Sequence, residues 1–260
     1  LKKTAYVYTI VLTVAALLLI TIIMVPHVNA DYPMSPAENS AVPSPDAPRS
    51  VDQNTLLIKD KAPRKPVPVE KKIMNFPVIS QMPELARGCE VTVLAMLIQS
   101  SGKAIDKMAL ADQIEKVPFR DGVYRGNPNK GFVGNIETFD ESGYAVYHGP
   151  VYKLARQYMD AVDLTGRPWS DVEKKIVEGN PVWVIVTSTF RPLPEEEWDT
   201  WQTKDGPVKI TYREHAVLVT GFDPDSVYVN DPLDGKKNKK LDRKAFIQGW
   251  EQFGRQAITY

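Results

Sequence analysis

"MPELARGCEVTVLAMLIQ", residues 82–99, contains the single cysteine of the chain, Cys89. Behind it Val91, Leu94, Ala95 and Ile98 recur at i, i+3, i+4 and i+7. That period predicts a helix opening at or just after Cys89, one apolar face turned inward, with Gly102 as its stop. Glu90 and Thr92 suit the first turn of such a helix, and Gly88 lets the backbone turn sharply into it. A thiol at that point lies at the positive end of a helix dipole. This is one of two influences that lower a cysteine pKa from about 8.5, the other being a neighbouring imidazolium. Most free cysteines are simply small buried hydrophobes, so the rest of the chain has to supply the second influence.

Around this helix the chain divides into three parts. Lys2 and Lys3 precede an uncharged run from Thr4 to Pro26 that includes "IVLTVAALLLITIIMV". The run is long for a signal-peptide core of about 7–15 residues and suits a span of about 20. Val28-Asn29-Ala30 nevertheless offers the small residues of a cleavage site. Residues 1–30 are therefore expected to be an uncleaved membrane anchor or, failing that, a signal peptide cut after Ala30. The lysines on the short side direct everything after Pro26 out of the cytoplasm. Residues 31–72, with "YPMSPAENSAVPSPDAPRS" and "KDKAPRKPVPVEKK", are rich in proline and poor in aromatics. A disordered or polyproline-like linker is expected there. Residues 73–260 read as one globular domain.

Within that domain "IMNFPVISQ" is a short extended segment, and helices are expected over 106–117 and around "VYKLARQYMDAV". A further helix, "WSDVEKKIVEG", carries a capping box of Ser170 and Glu173 and ends at Gly179. Strands are expected at 181–190, from Val208 to Phe222 and at 227–232, with Asp223–Ser226 as a turn. "DRKAFIQGWEQF" is a last helix before the closing strand "QAITY". Helices first and antiparallel strands later make an α+β domain.

The 32 basic and 32 acidic side chains balance, which argues against a nucleic-acid binder. One cysteine leaves no internal disulfide and no cysteine-based structural zinc site. His27, His148 and His215 never fall at metal-ligand spacing, so neither a metal nor a cofactor is expected.

His215 sits in the apolar strand "EHAVLVTGF". The turn at Asp223–Ser226 folds that strand back on the one carrying Asn230 and Asp231. Counted from the turn, His215 lies opposite the stretch just after Asp231, and a small offset or a bulge would bring Asp231 beside the imidazole. A carboxylate there could take the Nδ1 proton and stabilise an imidazolium. Asn230 is the alternative orienting group, but neighbouring strand residues face opposite sides. Gln81, ahead of Cys89, could donate to an oxyanion together with a backbone N–H at the helix start.

Gln81, "GCEVT", "HAVLV" and "VNDP" thus occur in an order that resembles the papain-like cysteine peptidases. More narrowly, "SQMPELARGCEVT", "GNPNKGFVGN" and the histidine-strand–turn–"NDP" hairpin resemble the peptidase C39-like group. These are stand-alone, secreted or membrane-bound relatives of the bacteriocin-leader-processing peptidases. The resemblance covers residues 73–260. It implies an antiparallel sheet packed on the nucleophile-bearing helix, with Cys89 as nucleophile and His215 as general base. Asp231 would orient the histidine and Gln81 would build the oxyanion hole. A peptide or protein is the implied partner. Transporter-fused members usually carry an aspartate just before the cysteine, where this chain has Gly88, so their double-glycine substrates do not carry over. A non-catalytic peptide-binding module of the same fold, and a cell-wall thiol amidase or transpeptidase, fit the same residues.

Four other features carry expectations. The glycine-rich loop 124–135 either lines a substrate groove or is a plain turn. Trp198 and Trp201, in a long loop over 191–206, either cover the cleft or pack beneath it. Residues 234–244, "DGKKNKKLDRK", read as a solvated basic turn. His148 lacks an acidic neighbour in sequence and is not expected to act in catalysis.

Overall fold

The computed structural model describes residues 70–260. The expected anchor, and the linker up to residue 69, lie outside them. Among the described residues no helix is long and apolar enough to cross a membrane.

The helices are α1 (Cys89–Ser100), α2 (Lys107–Gln113), α3 (His148–Ala155), α4 (Trp169–Glu178) and α5 (Arg243–Gln252). The longer ladders are built from β1 (Lys72–Ile73), β2 (Val162–Asp163), β3 (Val182–Thr187), β4 (Asp199–Thr203), β5 (Gly206–Ile210), β6 (Glu214–Phe222), β7 (Ser226–Asp231), β8 (Lys236–Asp242) and β9 (Ala257–Thr259). A seven-stranded sheet runs β8-β7-β6-β3-β9-β2, with β1 added on β6. Every pairing in it is antiparallel. The domain is α+β, as the order of elements predicted.

Alternation along the strands divides the core in two. Trp183, Ile185, Ala216 and Leu218 pack with the residues of α1, α2 and α3. Val182, Val184, Val186, Val217 and Val219 pack with Val172 and Ile176 of α4 and with Phe246 and Trp250 of α5. Both faces of β3 and β6 are therefore covered, which is why these strands read as unbroken apolar runs.

The first helix is more deeply placed than its periodicity suggested. Every residue from Cys89 to Ile98 is buried, including Val93, Met96 and Leu97, which lie off the predicted face. It is a central helix between the sheet and α2 and α3, not an amphipathic surface helix. Each fully buried aliphatic side chain there contributes about 1.5–3 kcal/mol of transfer free energy.

Other expectations need correction. Helix α2 stops at Gln113, and α3 begins earlier and ends sooner than "VYKLARQYMDAV" implied. No capping box forms at α4, because Pro168 rather than Ser170 is its N-cap. Glu173 instead accepts from the indole of Trp169 at 3.0 Å and pairs with Arg243 at 2.6 Å. Gly179 does end α4, in the left-handed region at φ 101°. The single strand expected from Val208 is broken by a turn at Thr211–Arg213. Its first part joins the supposed loop 191–206 in the β4–β5 hairpin. The basic segment 234–244 lies at the surface as expected, with no buried residue from Lys236 to Asp242, but that stretch is strand β8, paired to β7, rather than a turn.

Candidate active site

The site gathers where β6 begins, beside the first turn of α1. A cleft of about 270 Å³ is lined there by Gln81, Cys89, Tyr144, Tyr212, Glu214 and His215, among others. Cys89 is the first residue of α1. Gly88 delivers the chain to that point with φ −103°. It is needed for space rather than for a left-handed turn, because a Cβ there would meet the Leu85 Cβ at 2.5 Å.

His215 and Asp231 come together as the hairpin count suggested. The ladder of β6 and β7 slips by one residue between Val219 and Gly221. By alternation His215 then shares a face with Val217 and Val219, and Asp231 with Val227 and Val229. Asp231 Oδ1 lies 2.8 Å from the imidazole. The nitrogen it engages is Nε2, not the Nδ1 expected, so Nδ1 is the nitrogen left over for a reacting group. Asn230 turns to the opposite face, donating to the carbonyls of Phe76 and Pro77 and accepting from the Asn238 N–H. It anchors the N-terminal segment and takes no part in orienting His215.

Asp231 is a buried carboxylate, 2% exposed. Burial alone would raise its pKa. The His215 hydrogen bond and charge, Lys239 Nζ at 2.8 Å from Oδ2 and the Leu233 N–H outweigh that and hold it well below the usual carboxylate range. Lys239 also lies 4.6 Å from the Phe190 ring centroid, and Phe190 meets His215 edge-on at 5.9 Å. Lys239 thus belongs to the site although its sequence neighbourhood reads as surface.

The thiol is in different company. Its side-chain hydrogen-bond partners among the described residues are two carboxyl groups: Glu90 Oε2 at 3.3 Å and Glu214 Oε2 at 3.9 Å. The imidazole borders the same cleft but is not among those partners. Strand geometry explains this. On β6 the residue sharing the α1-facing side with Ala216 and Leu218 is Glu214, while His215 points to the other face. Burial first, then the charges of Glu90 and Glu214, push the Cys89 thiol well above its ordinary range, with the Ala216 N–H acting in the opposite direction. Burial also raises the Glu90 carboxyl to about 7, against the stabilising Val146 N–H at 2.7 Å. Glu214 is likewise raised well above the ordinary carboxylate range, by burial and then by Glu90. It is only half-buried as a residue, but its Oε1 is shut off from solvent and has no hydrogen-bond partner.

Gln81 also borders the cleft. Its Nε2 donates to the carbonyls of Leu85 and Ala86, at 3.1 and 3.2 Å. Its buried Oε1 has no partner. The amide therefore ties down the loop before Cys89, and its N–H groups are already engaged.

Glu90, Glu214 and Lys239 were not singled out from the sequence. A signal existed for two of them, since one acidic residue follows the candidate nucleophile and another precedes the candidate base. The remaining expectations fall away from the site. None of residues 124–135 lines the cleft, and neither do Trp198 and Trp201. Trp201 packs beneath, against Phe119 and Tyr144, and Trp198 against Phe253. His148 opens α3, its Nδ1 3.2 Å from Gln256 and its Nε2 3.7 Å from Asp163, outside the cleft.

A fold with a buried cysteine at a helix start and a histidine–carboxylate pair on the adjoining sheet matches a known class. The peptidase C39-like family profile covers residues 73–258. The chain belongs to the peptidase C39-like family. It is 46% identical over 181 residues to the uncharacterized protein YvpB of Bacillus subtilis strain 168, covering 68% of this chain and 70% of that one. It also matches a crystal structure from Bacillus anthracis, provisionally described as a C39-like peptidase. There the identity is 52% and the TM-score 0.73, over 74% of this chain and 98% of the other.

Proposed function

We propose that the domain is a cysteine peptidase of papain-like fold, hydrolysing peptide bonds with Cys89, His215 and Asp231. The observation that carries this reading is the His215–Asp231 pair on the cleft that also contains Cys89, with Nδ1 left uncommitted. In the reaction the thiol turns from Glu214 toward the imidazole. His215 Nδ1 takes the thiol proton, and the sulfur adds to the substrate carbonyl carbon. The N–H groups of the first turn of α1 lack intrahelical partners, so the Cys89 N–H is the donor best placed for the oxyanion. Gln81 joins it once its amide leaves a loop carbonyl. Collapse of the adduct expels an amine that takes the proton back from His215, and water then releases the acid from the thioester.

The uncharged run from Thr4 to Pro26 behind Lys2 and Lys3 supports a domain held outside the cytoplasm, or secreted after cleavage at Ala30. Its substrates are then extracytoplasmic peptides or proteins.

One feature favours a second reading. In the resting site the thiol is paired with carboxyl groups rather than with the imidazole, as would suit a non-catalytic peptide-binding module. Incubating the full-length protein with a mixed peptide library, beside Cys89→Ala and His215→Ala, separates the two. Cleavage lost by at least about 10³-fold in both variants supports the peptidase. Binding of peptides without cleavage, equal in all three proteins, overturns it. Product analysis with an added amine distinguishes hydrolysis from amide transfer.

A further inference from the structure

The carboxyl groups around Cys89 have no role in the scheme above. Sγ of Cys89, a carboxyl oxygen of Glu90 and one of Glu214 all lie within 4.8 Å of one another. They come from two rigid elements, the start of α1 and the start of β6. We propose that Cys89, Glu90 and Glu214 form a binding site for a zinc-like divalent cation, which masks the nucleophile reversibly.

Three observations carry this. The first is spacing. Zinc holds thiolate sulfur at about 2.3 Å and carboxylate oxygen at about 2.0 Å, so a tetrahedral site has a sulfur–oxygen edge of about 3.5 Å. The two such edges here are 3.3 and 3.9 Å. The second is the state of the carboxyl groups. Glu90 is aimed by its other oxygen, which accepts from the Val146 N–H and so fixes Oε2 toward sulfur. This is the anchoring expected of a ligand held from behind. The third is the presence of unpartnered oxygen at the cleft. Glu214 Oε1 has no partner, and neither does Oε1 of Gln81, a residue only 3% exposed that borders the same cleft. Buried oxygens without donors are uncommon and call for an electropositive partner.

The donor set selects the ion. One soft sulfur and two oxygens suit zinc and its neighbours, whereas calcium and magnesium require six or more oxygens. On binding, the sulfur–hydrogen bond breaks and a sulfur–metal bond forms; that proton, and any held by the Glu90 and Glu214 carboxyl groups, passes to solvent. No electron is transferred. Coordination withdraws electron density from the sulfur and occupies the space a carbonyl would enter, so the ion would silence the site and shield the only thiol of the chain. The sequence gives no ligand spacing because Glu214 lies 125 residues from Cys89.

The test uses the full-length protein stripped of metal, and reads the alkylation rate of Cys89 with and without one equivalent of zinc. It needs no peptide cleavage, so its result stands apart from the peptidase reading. At least tenfold protection by zinc, and none by calcium or magnesium, is expected. Glu214→Gln and Glu90→Gln, which keep the size of each side chain, should each weaken zinc binding by at least tenfold, with folding checked by circular dichroism. Cobalt in place of zinc should give a thiolate-to-metal charge-transfer absorption that Cys89→Ser abolishes. Protection unchanged in both glutamine variants, or cobalt and zinc binding unchanged in Cys89→Ser, overturns the proposal.

Discussion

Asp231 divides its two oxygens between two partners: Oδ1 lies 2.8 Å from His215 Nε2, and Oδ2 lies 2.8 Å from Lys239 Nζ. The carboxylate is buried, and its depressed pKa rests on both partners. A carboxyl group whose pKa is lower in the folded than in the unfolded chain stabilises the fold above the unfolded value near 3.9. That stability is lost as pH falls through the folded pKa. Asp231→Asn should therefore remove about 2 kcal/mol of stability at pH 7 and flatten the loss between pH 5 and pH 2. Urea unfolding at a series of pH values checks this. Under the peptidase reading the same variant also lowers kcat by roughly 10³–10⁴, because the imidazole loses its fixed tautomer. Lys239→Met keeps the His215 bond and is expected to cost activity about tenfold, with the acid stability limb moved to higher pH.

Glu214 governs the thiol. Its carboxyl and that of Glu90 both oppose ionisation of Cys89, after burial. The resting thiol is expected to alkylate slowly at pH 7 in metal-free buffer. The Glu214 carboxyl is itself raised, so its charge opposes the thiolate only once it ionises. Glu214→Gln should change alkylation little at pH 7 and speed it in alkaline buffer, with the upper limb of the rate–pH curve displaced to lower pH. His215→Ala should matter little to the resting rate, because the imidazole is not a hydrogen-bond partner of the sulfur in this state. A rate that collapses in His215→Ala would show that a Cys89–His215 ion pair already exists at rest, contrary to this geometry.

These residues also mark where the sequence is legible. The Cys89 helix, the β6–β7 hairpin and the meeting of His215 with Asp231 follow from local period and from counting back from one turn. Glu214 does not, because its importance depends on which face of β6 meets α1. That is set by the packing of Ala216 and Leu218 rather than by any neighbour in sequence. Lys239 is hidden for a similar reason. Five lysines in 236–244 read as solvent-facing, and only the register of β8 on β7 brings one of them beneath Phe190 to Asp231. The turn at Thr211–Arg213 contains neither glycine nor proline, so nothing local separates β5 from β6. The α4 capping box failed because Pro168 took the N-cap and Glu173 found Arg243, a partner 70 residues away.

Gln81 separates a structural from a catalytic role. Its Nε2 holds the Leu85 and Ala86 carbonyls, so Gln81→Ala should cost about 1–3 kcal/mol of stability through the acceptors left unpaired. If the amide also reaches the oxyanion during turnover, kcat falls by roughly 10²–10³ with KM little changed. A loss confined to stability, with kcat intact in the folded fraction, would restrict Gln81 to holding the loop.

Gly88 tests how tightly the nucleophile is positioned. A methyl group there would lie 2.5 Å from Leu85 Cβ and 2.9 Å from its Cδ1, and Leu85 is fully buried. The Cβ cannot retreat without moving the loop that Gln81 holds. Gly88→Ala is therefore expected to destabilise the domain by about 1–3 kcal/mol, the usual cost of overpacking, and to shift the first turn of α1. Cys89 moves with that turn, so the balance between its two carboxyl partners changes. Alkylation at pH 7 should depart from the wild-type rate even at temperatures where the variant is fully folded. Shortening the neighbour does not repair this, because the closest contact is with a Cβ that Leu85→Ala retains. The double variant should stay at least as unstable as Gly88→Ala alone in urea unfolding. Full recovery of stability and of the alkylation rate in the double variant would mean that only the Leu85 branch, and not the backbone approach, excludes a side chain at position 88.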